Sequence, residues 1–268
     1  MVNGIYQVYF TSSDTILLFI KNYSTNKLNC QVIDGTTLTV IKTVTSTVGG
    51  SFENITCSED GTVFAAYSSS KIYMYKFSSD FSSISSYPSI TVGANVNKPY
   101  LTSDGKLLIT SYLDSDNYFN LRIYLVNDNN TTTVLLDKYT GYNEAVQNIC
   151  ESSDKNYIYI STATGWDSNT DTRSLTFITV QRTSTTTVSS NLLYTHTSYS
   201  SGDANGYKAG GLLCLIANDT KGIIHDMTGI HLCSMNFSST RKVSYTILKS
   251  IKTHSNSNIN VTKVSAVG

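Results

Sequence analysis

Residues 165–171 read Gly165-Trp166-Asp167-Ser168-Asn169-Thr170-Asp171. Asp167, Asn169 and Asp171 place three oxygen donors on alternate positions of one loop, a spacing with which a loop can wrap a Ca²⁺ ion. The rest of an EF-hand is missing, because Thr172 stands where Gly is needed and Ile178 where the bidentate Glu belongs. The same segment suits a sugar. An aromatic ring stacks on the C–H face of a pyranose while short carboxylates and amides bond adjacent hydroxyls. That mixture equally suits a protein interface, where Tyr and Trp give large contact area at small entropic cost. Asp116 with Tyr118 repeats the pairing, and Tyr142 and Tyr207 add rings in other connecting segments. The candidate ligand-binding set is therefore Trp166, Asp167, Asn169, Asp171, Tyr118, Asp116, Tyr142 and Tyr207. Trp166 is the only Trp of the chain. With 19 Tyr in total, a loop Tyr also has the plainer role of packing against its neighbours. Ca²⁺ at Asp167, Asn169 and Asp171 is the one cofactor this pattern admits, and no other is expected.

Catalytic constellations are scarce. The four His are His196, His225, His231 and His254. His225 and Asp226 are adjacent, so on a strand they point to opposite faces and do not cooperate. The sequence has no G-x-S-x-G elbow, no H-E-x-x-H and no P-loop. The expectation is a binding or structural chain without catalytic function.

Such loops need a rigid frame, and the frame is visible as a repeat. Five times a short apolar strand runs into a polar turn built on an Asp and then into a second apolar strand. The turns hold Asp14, Asp60, Asp104, Asp154 and Asp219. Their separations, about 46, 44, 50 and 65 residues, sit near the 40–50-residue period of propeller-type repeats. Each unit parses into four strands, A to D. The segments Lys-Ile-Tyr-Met-Tyr-Lys-Phe (71–77) and Leu-Arg-Ile-Tyr-Leu-Val (121–126) alternate or run apolar as half-buried or fully covered strands do. D strands are expected at Ile84–Val92 and Thr185–Tyr194. The Asp reads as a hairpin residue, with Gly61 and Gly105 after it free to take positive φ. Helical periodicity is nearly absent, and Tyr142–Asn148 is the one short candidate.

Bulk properties exclude some classes. The formal net charge is +0 and only 14% of residues are charged, so no electrostatic footprint for nucleic acid or an anionic membrane is present. No run approaches the 18 or so apolar residues of a membrane span. The opening residues show no basic and apolar regions of a signal peptide. Five Cys without tight spacing are expected to be small buried hydrophobes, Cys57, Cys150 and Cys214 lying on first strands.

The strand, Ser-x-Asp-Gly-Lys, strand pattern, clearest at Thr102-Ser103-Asp104-Gly105-Lys106, resembles WD40-like and related β-propeller repeats over nearly the whole chain. The Trp-Asp dipeptide that ends WD40 C strands is absent there, and Trp166-Asp167 sits in a loop instead. The resemblance implies an all-β fold: one β-propeller over 1–268 of five four-stranded blades. These span about 1–47, 48–93, 94–140, 141–196 and 207–252, with six blades if the interval from 154 to 219 hides another. A tail strand at 258–264 could close the ring. It also implies that B–C and D–A connections share one face. On that face lie Lys21–Asn26, Leu113–Asn120 and Ala163–Ser174, with Val48–Glu53, Gly141–Val146 and Ser198–Gly211. Five-bladed glycosidases carry carboxylates near the axis, where this chain offers Glu53, Glu144, Glu151 and Asp203.

Low charge, heavy use of Ser, Thr, Asn and Tyr, and the ending Ile259-Asn-Val-Thr-Lys-Val-Ser-Ala-Val-Gly268 are similar to bacteriophage tail and fibre proteins. That resemblance implies a virion component, either one domain of a longer protein or a truncated product. It would bind a glycan or a partner protein, with other virion subunits among its partners. The alternatives are a purely scaffolding propeller in a larger assembly and a glycosidase-like carbohydrate-active enzyme. The location expected is the virion or the cytoplasm, with no nucleic acid and no membrane as partner.

Overall fold

A computed structural model describes residues 3–12, 14–22, 27–46, 54–67, 70–92, 97–116, 118–142, 144–164, 172–200, 212–216, 218–226, 229–239 and 243–251. All regular structure among them is strand. The first sheet holds β1 (Asn3–Phe10), β2 (Thr15–Asn22), β3 (Lys27–Asp34) and β4 (Val40–Ser46) in that order. The second holds β5 (Asn54–Cys57), β6 (Val63–Tyr67) and β7 (Lys71–Phe77), with β8 (Ile84–Ser86) and β9 (Ile90–Thr91) both paired to β7. The third is β10 (Asn97–Leu101), β11 (Leu107–Leu113), β12 (Tyr118–Val126) and β13 (Thr132–Tyr142). The fourth is β14 (Glu144–Glu151), β15 (Tyr157–Thr164) and β16 (Thr172–Ser184), with β17 (Thr187–Val188) and β18 (Leu193–Ser200) sharing β16. The fifth is β19 (Leu212–Ile216), β20 (Lys221–Asp226), β21 (Gly229–Phe237) and β22 (Val243–Ile251). Five consecutive antiparallel sheets, each with four strand positions, are the organisation of a five-bladed β-propeller.

The expected outer strands at Ile84–Val92 and Thr185–Tyr194 are each broken in two. In the second sheet the Tyr87 N–H still reaches the Met74 carbonyl at 3.0 Å, but Pro88 has no N–H for the ladder, and strand pairing resumes at Ile90. In the fourth, pairing to β16 shifts after Val188 and continues as far as Ser200, beyond the expected end. The helix candidate Tyr142–Asn148 is strand, since β13 reaches Tyr142 and β14 begins at Glu144. Within the expected loop Gly141–Val146, residues 141–142 and 144–146 are strand, and residue 143 lies outside the described residues. The segments 47–53, 165–171, 201–211 and the tail strand 258–264 lie outside the described residues.

Two compact units emerge, one of residues 1–116 with 120–139 and one of 140–268 with 117–119. In the first unit the core between the first two sheets is aromatic. Phe64 lies 4.9 Å from both Phe19 and Tyr75 and 5.3 Å from Phe77, centre to centre. All five residues of β6 are buried, which is why Val-Phe-Ala-Ala-Tyr runs apolar without alternation. A second cluster joins Ile72, Met74, Ile90 and Val92 to Leu101, Leu108, Tyr124 and Val126 of the third sheet. In the second unit Tyr159 packs on Phe237 at 4.8 Å, within a cluster that includes Cys150, Phe177, Ile224 and Cys233.

The repeated Asp is a turn residue with a defined task. Ser58, Thr102 and Ser152 each donate a hydroxyl to Oδ1 of the Asp two residues on, at 2.6, 2.7 and 2.5 Å. Each hydroxyl oxygen also accepts the N–H that opens the next strand, from Val63, Leu107 and Tyr157 at 3.0, 2.9 and 3.0 Å. The Asp Oδ1 accepts the N–H two residues further, from Thr62, Lys106 and Asn156. The residue after the Asp takes positive φ, +75° at Gly61, +67° at Gly105 and +59° at Lys155. A residue one or two places before it has another role, because its backbone reaches the neighbouring turn. Ser12 donates to the Glu59 carbonyl and Glu59 to the Ser103 carbonyl, both at 2.8 Å.

Candidate functional site

Of the eight candidates, Trp166, Asp167, Asn169, Asp171 and Tyr207 lie outside the described residues, and so does the Ca²⁺ pattern. Tyr142 closes β13, a strand end where a loop position was expected. Asp116 and Tyr118 are described and exposed, Asp116 in the B–C connection of the third sheet and Tyr118 at the first position of β12. Among the described residues no group of three or more His, Cys, Asp or Glu is gathered closely enough to hold a metal ion.

The turn after β11 is held by residues of the first unit, Asp114, Asp116 and Asn120. β11 ends at Leu113, and Asp114 then organises the turn. Its Oδ1 accepts the backbone N–H of Asp116 at 3.0 Å, and its Oδ2 accepts the side-chain amide of Asn120 at 2.9 Å. This is the local Asx geometry that Asp favours over continued strand. It holds Asp116 at the turn tip, with its side chain in solvent.

Behind the turn lies a second polar cluster. Arg122 of β12 donates from Nε to Oδ2 of Asp137 on β13 at 2.9 Å, and a terminal guanidinium nitrogen forms an ion pair with the same oxygen. That nitrogen also donates to the Tyr112 hydroxyl at 2.7 Å, and Tyr112 in turn donates to Asp137 Oδ1 at 3.1 Å. The guanidinium carbon sits 4.5 Å from the centre of the Tyr112 ring, a cation–π distance. Partial burial works against the Arg122 charge. The hydrogen bond to Asp137 and the neighbouring Tyr124 outweigh it and raise the guanidinium further above its ordinary value. The Tyr112 hydroxyl is raised chiefly by burial and, against the pull of Arg122, by Asp137. The cluster locks β11, β12 and β13 together behind Asp114 and Asp116.

Arg122 and Asp137 were absent from the candidate set. The readable signal was a lone Arg in an apolar strand and a lone Asp in the next. Of the carboxylates considered for an axial pair, only the side chain of Glu151 is described, that of Glu144 being outside the description. Glu53 and Asp203 lie outside the described residues, and Glu151 is held by Arg182 at 3.3 Å, with both side chains buried. Cys150 is buried and Cys57 half-buried, as expected of small apolar side chains, while the side chain of Cys214 lies outside the description.

No protein-family model matches the sequence, and no curated protein matches it. Solved structures do. A protein from Lactobacillus plantarum is similar at 12% identity and a TM-score of 0.64, covering 92% of this chain and 71% of its own. A functionally unknown protein from Desulfotomaculum acetoxidans is similar at 16% identity and a TM-score of 0.57, with 92% and 72% covered. A putative 6-phosphogluconolactonase from Bacteroides uniformis follows at 16% identity and a TM-score of 0.50, with 74% of this chain and 55% of that protein covered. At these identities the likeness is one of fold. It corrects one expectation. A non-catalytic role was expected from the missing motifs, yet the fold is shared with a protein named a putative 6-phosphogluconolactonase, so the missing motifs do not support that expectation. Among the described residues no helix is long and apolar enough to cross a membrane.

Proposed function

We propose that the chain is a ligand-binding propeller that takes a glycan or a sugar-derived ligand at the B–C end of its third sheet. The observation that carries this reading is the braced turn. Asp114 fixes the backbone under Asp116, while Arg122, Asp137 and Tyr112 hold the strands behind it. A carboxylate presented on a rigid loop end is what bonding a sugar hydroxyl requires, because little freedom is then lost on binding. Tyr118, two residues from Asp116, is the proposed stacking ring of this turn, on its residue type and place in the sequence; Trp166 is a separate candidate proposed from the sequence alone.

A glycan array and calorimetric titration of its best ligand test the reading, with Asp116→Ala and Tyr118→Ala beside the native chain. Each variant is expected to bind about tenfold more weakly or worse, with an unchanged circular dichroism spectrum. Undiminished binding in both removes this loop from the site.

A carbohydrate-active enzyme is the second reading. The name of the Bacteroides uniformis protein favours it, and hydrolysis of a phosphogluconolactone is the assay that tests it. None of the names reported above is that of a phage tail or fibre protein. The virion reading rests on composition and residues 259–268, and genomic neighbours encoding capsid or baseplate proteins would support it.

A further inference from the structure

The last residue of each sheet's first strand holds the same place in the repeat. In chain order these residues are Phe10, Cys57, Leu101, Glu151 and Ile216. Four of the five are sheltered. Leu101 is 2% exposed, the Glu151 side chain is 7% exposed, and Cys57 and Ile216 are half-buried. Phe10 is 79% exposed, the most exposed large apolar side chain among the described residues. It lines a recess of about 270 Å³ with Asp14, Ile16, Gly35, Thr36 and two further Thr, at the turn end of the first sheet.

The recess is built, because its floor is backbone held in place. Gly35 donates its N–H to the Asp14 carbonyl at 2.7 Å. A Cβ at Gly35 would press into that oxygen well inside van der Waals contact, so only Gly leaves the floor open. Asp14 sits at a φ of +54° with an exposed side chain, and its carboxylate accepts no hydrogen bond from the described residues. No Lys or Arg lines the recess. Beside it Asp34 is a second carboxylate, kept ionised below the usual range by hydrogen bonds from Thr37 and Thr36.

An exposed aromatic face and an ionised carboxylate attract the same class of group, an organic cation. Ile16 offers apolar wall to the methylene stem that carries such a cation on a protein side chain. We propose that this recess docks a basic side chain, Arg or Lys, of a partner protein. The charge of its lining favours that occupant over a neutral sugar, and the site stands at the opposite end of its sheet from the B–C connections.

Amide resonances of the full chain, followed by NMR during titration with N-acetyl-arginine amide, N-acetyl-lysine amide, N-acetyl-glutamate amide and methyl glucoside, test the proposal. The two cations are expected to shift Thr15, Gly35 and Thr36 saturably, less at high salt, and the other two probes not at all. Phe10→Ala removes an exposed ring, and Asp14→Asn keeps a residue that tolerates positive φ, so both should fold. Each is expected to weaken cation binding about three- to fivefold. The proposal is overturned if neither cation moves those resonances, if both variants bind as the native chain does, or if the glucoside moves them and the cations do not.

Discussion

The backbone N–H of Ser153 points at both carboxylate oxygens of Asp219, at 3.0 and 3.1 Å. In the first unit the matching links run from backbone to backbone, Ser12 to Glu59 and Glu59 to Ser103. In the second unit a side chain takes the place of the carbonyl. Asp219→Ala removes the acceptor and leaves Ala at a φ of +65°. Urea unfolding should show a loss of about 1–3 kcal/mol. Asp219→Asn keeps one acceptor oxygen and a residue that tolerates this φ, and should lose less. No loss in Asp219→Ala would show that the contact contributes nothing.

Lys155 occupies with φ +59° the place that Gly holds at 61 and 105. Lys155→Gly should relieve that strain and stabilise by about 0.5–1 kcal/mol, read as a rise in Tm. Gly61→Ala should do the reverse, for two reasons. Its φ is +75°, and a Cβ there would lie 2.6 Å from Thr11 Cγ2 on the neighbouring sheet.

Arg122 and Asp137 should couple. Their side chains are 22% and 38% exposed, so solvent screens part of the attraction, and a double-mutant cycle with Ala should return about 1 kcal/mol. If the braced turn is the binding end, Arg122→Ala also weakens ligand binding at Asp116 without touching the ligand. A coupling near zero would mean that the cluster does not brace the turn.

Burial pushes the Cys30 thiol up to about 12. Thiolate is the reactive form, so Cys30 should resist iodoacetamide at pH 8 in the native chain and react once urea unfolds it. Mass spectrometry of the labelled peptides reads this directly, and native-state labelling of Cys30 would contradict its burial.

Asp80 is held far below the ordinary carboxylate value by hydrogen bonds from Ser82 and Ser78, and Asp128 is lowered by Lys106 at 2.7 Å and Lys76 at 3.6 Å. Both folded values are depressed, so the stabilisation is present above the unfolded value of 3.8 and fades as the pH falls below it towards the folded values. Asp80→Asn should flatten the acid limb of the Tm–pH curve, and added salt should flatten the Asp128 share. A native-like acid limb in Asp80→Asn would contradict the assignment.

The hairpin role of Asp104 and Gly105 was legible because turn chemistry is local, set by residues two or three apart. That Glu59 and Ser153 link neighbouring turns was not, since their partners lie on another sheet and they use backbone, which every residue carries. The Arg122–Asp137 pair escaped for a related reason. Its meeting depends on which faces of β12 and β13 coincide. Nothing in the sequence marks Phe10, and only its exposure sets it apart. The rings and carboxylates around Trp166 remain a sequence proposal, as 165–171 lie outside the described residues. The non-catalytic expectation rested on a short set of sequence motifs, and the shared fold with a protein named a putative 6-phosphogluconolactonase removes that ground.

Pro88 has one more effect. By interrupting the outer strand of the second sheet it denies a visiting molecule a continuous row of amides and carbonyls to copy. The nine residues of β22, with Ile247, Leu248 and Ile251 in solvent, offer such a row on the fifth sheet. Any tendency of this chain to polymerise edge to edge at high concentration would begin there.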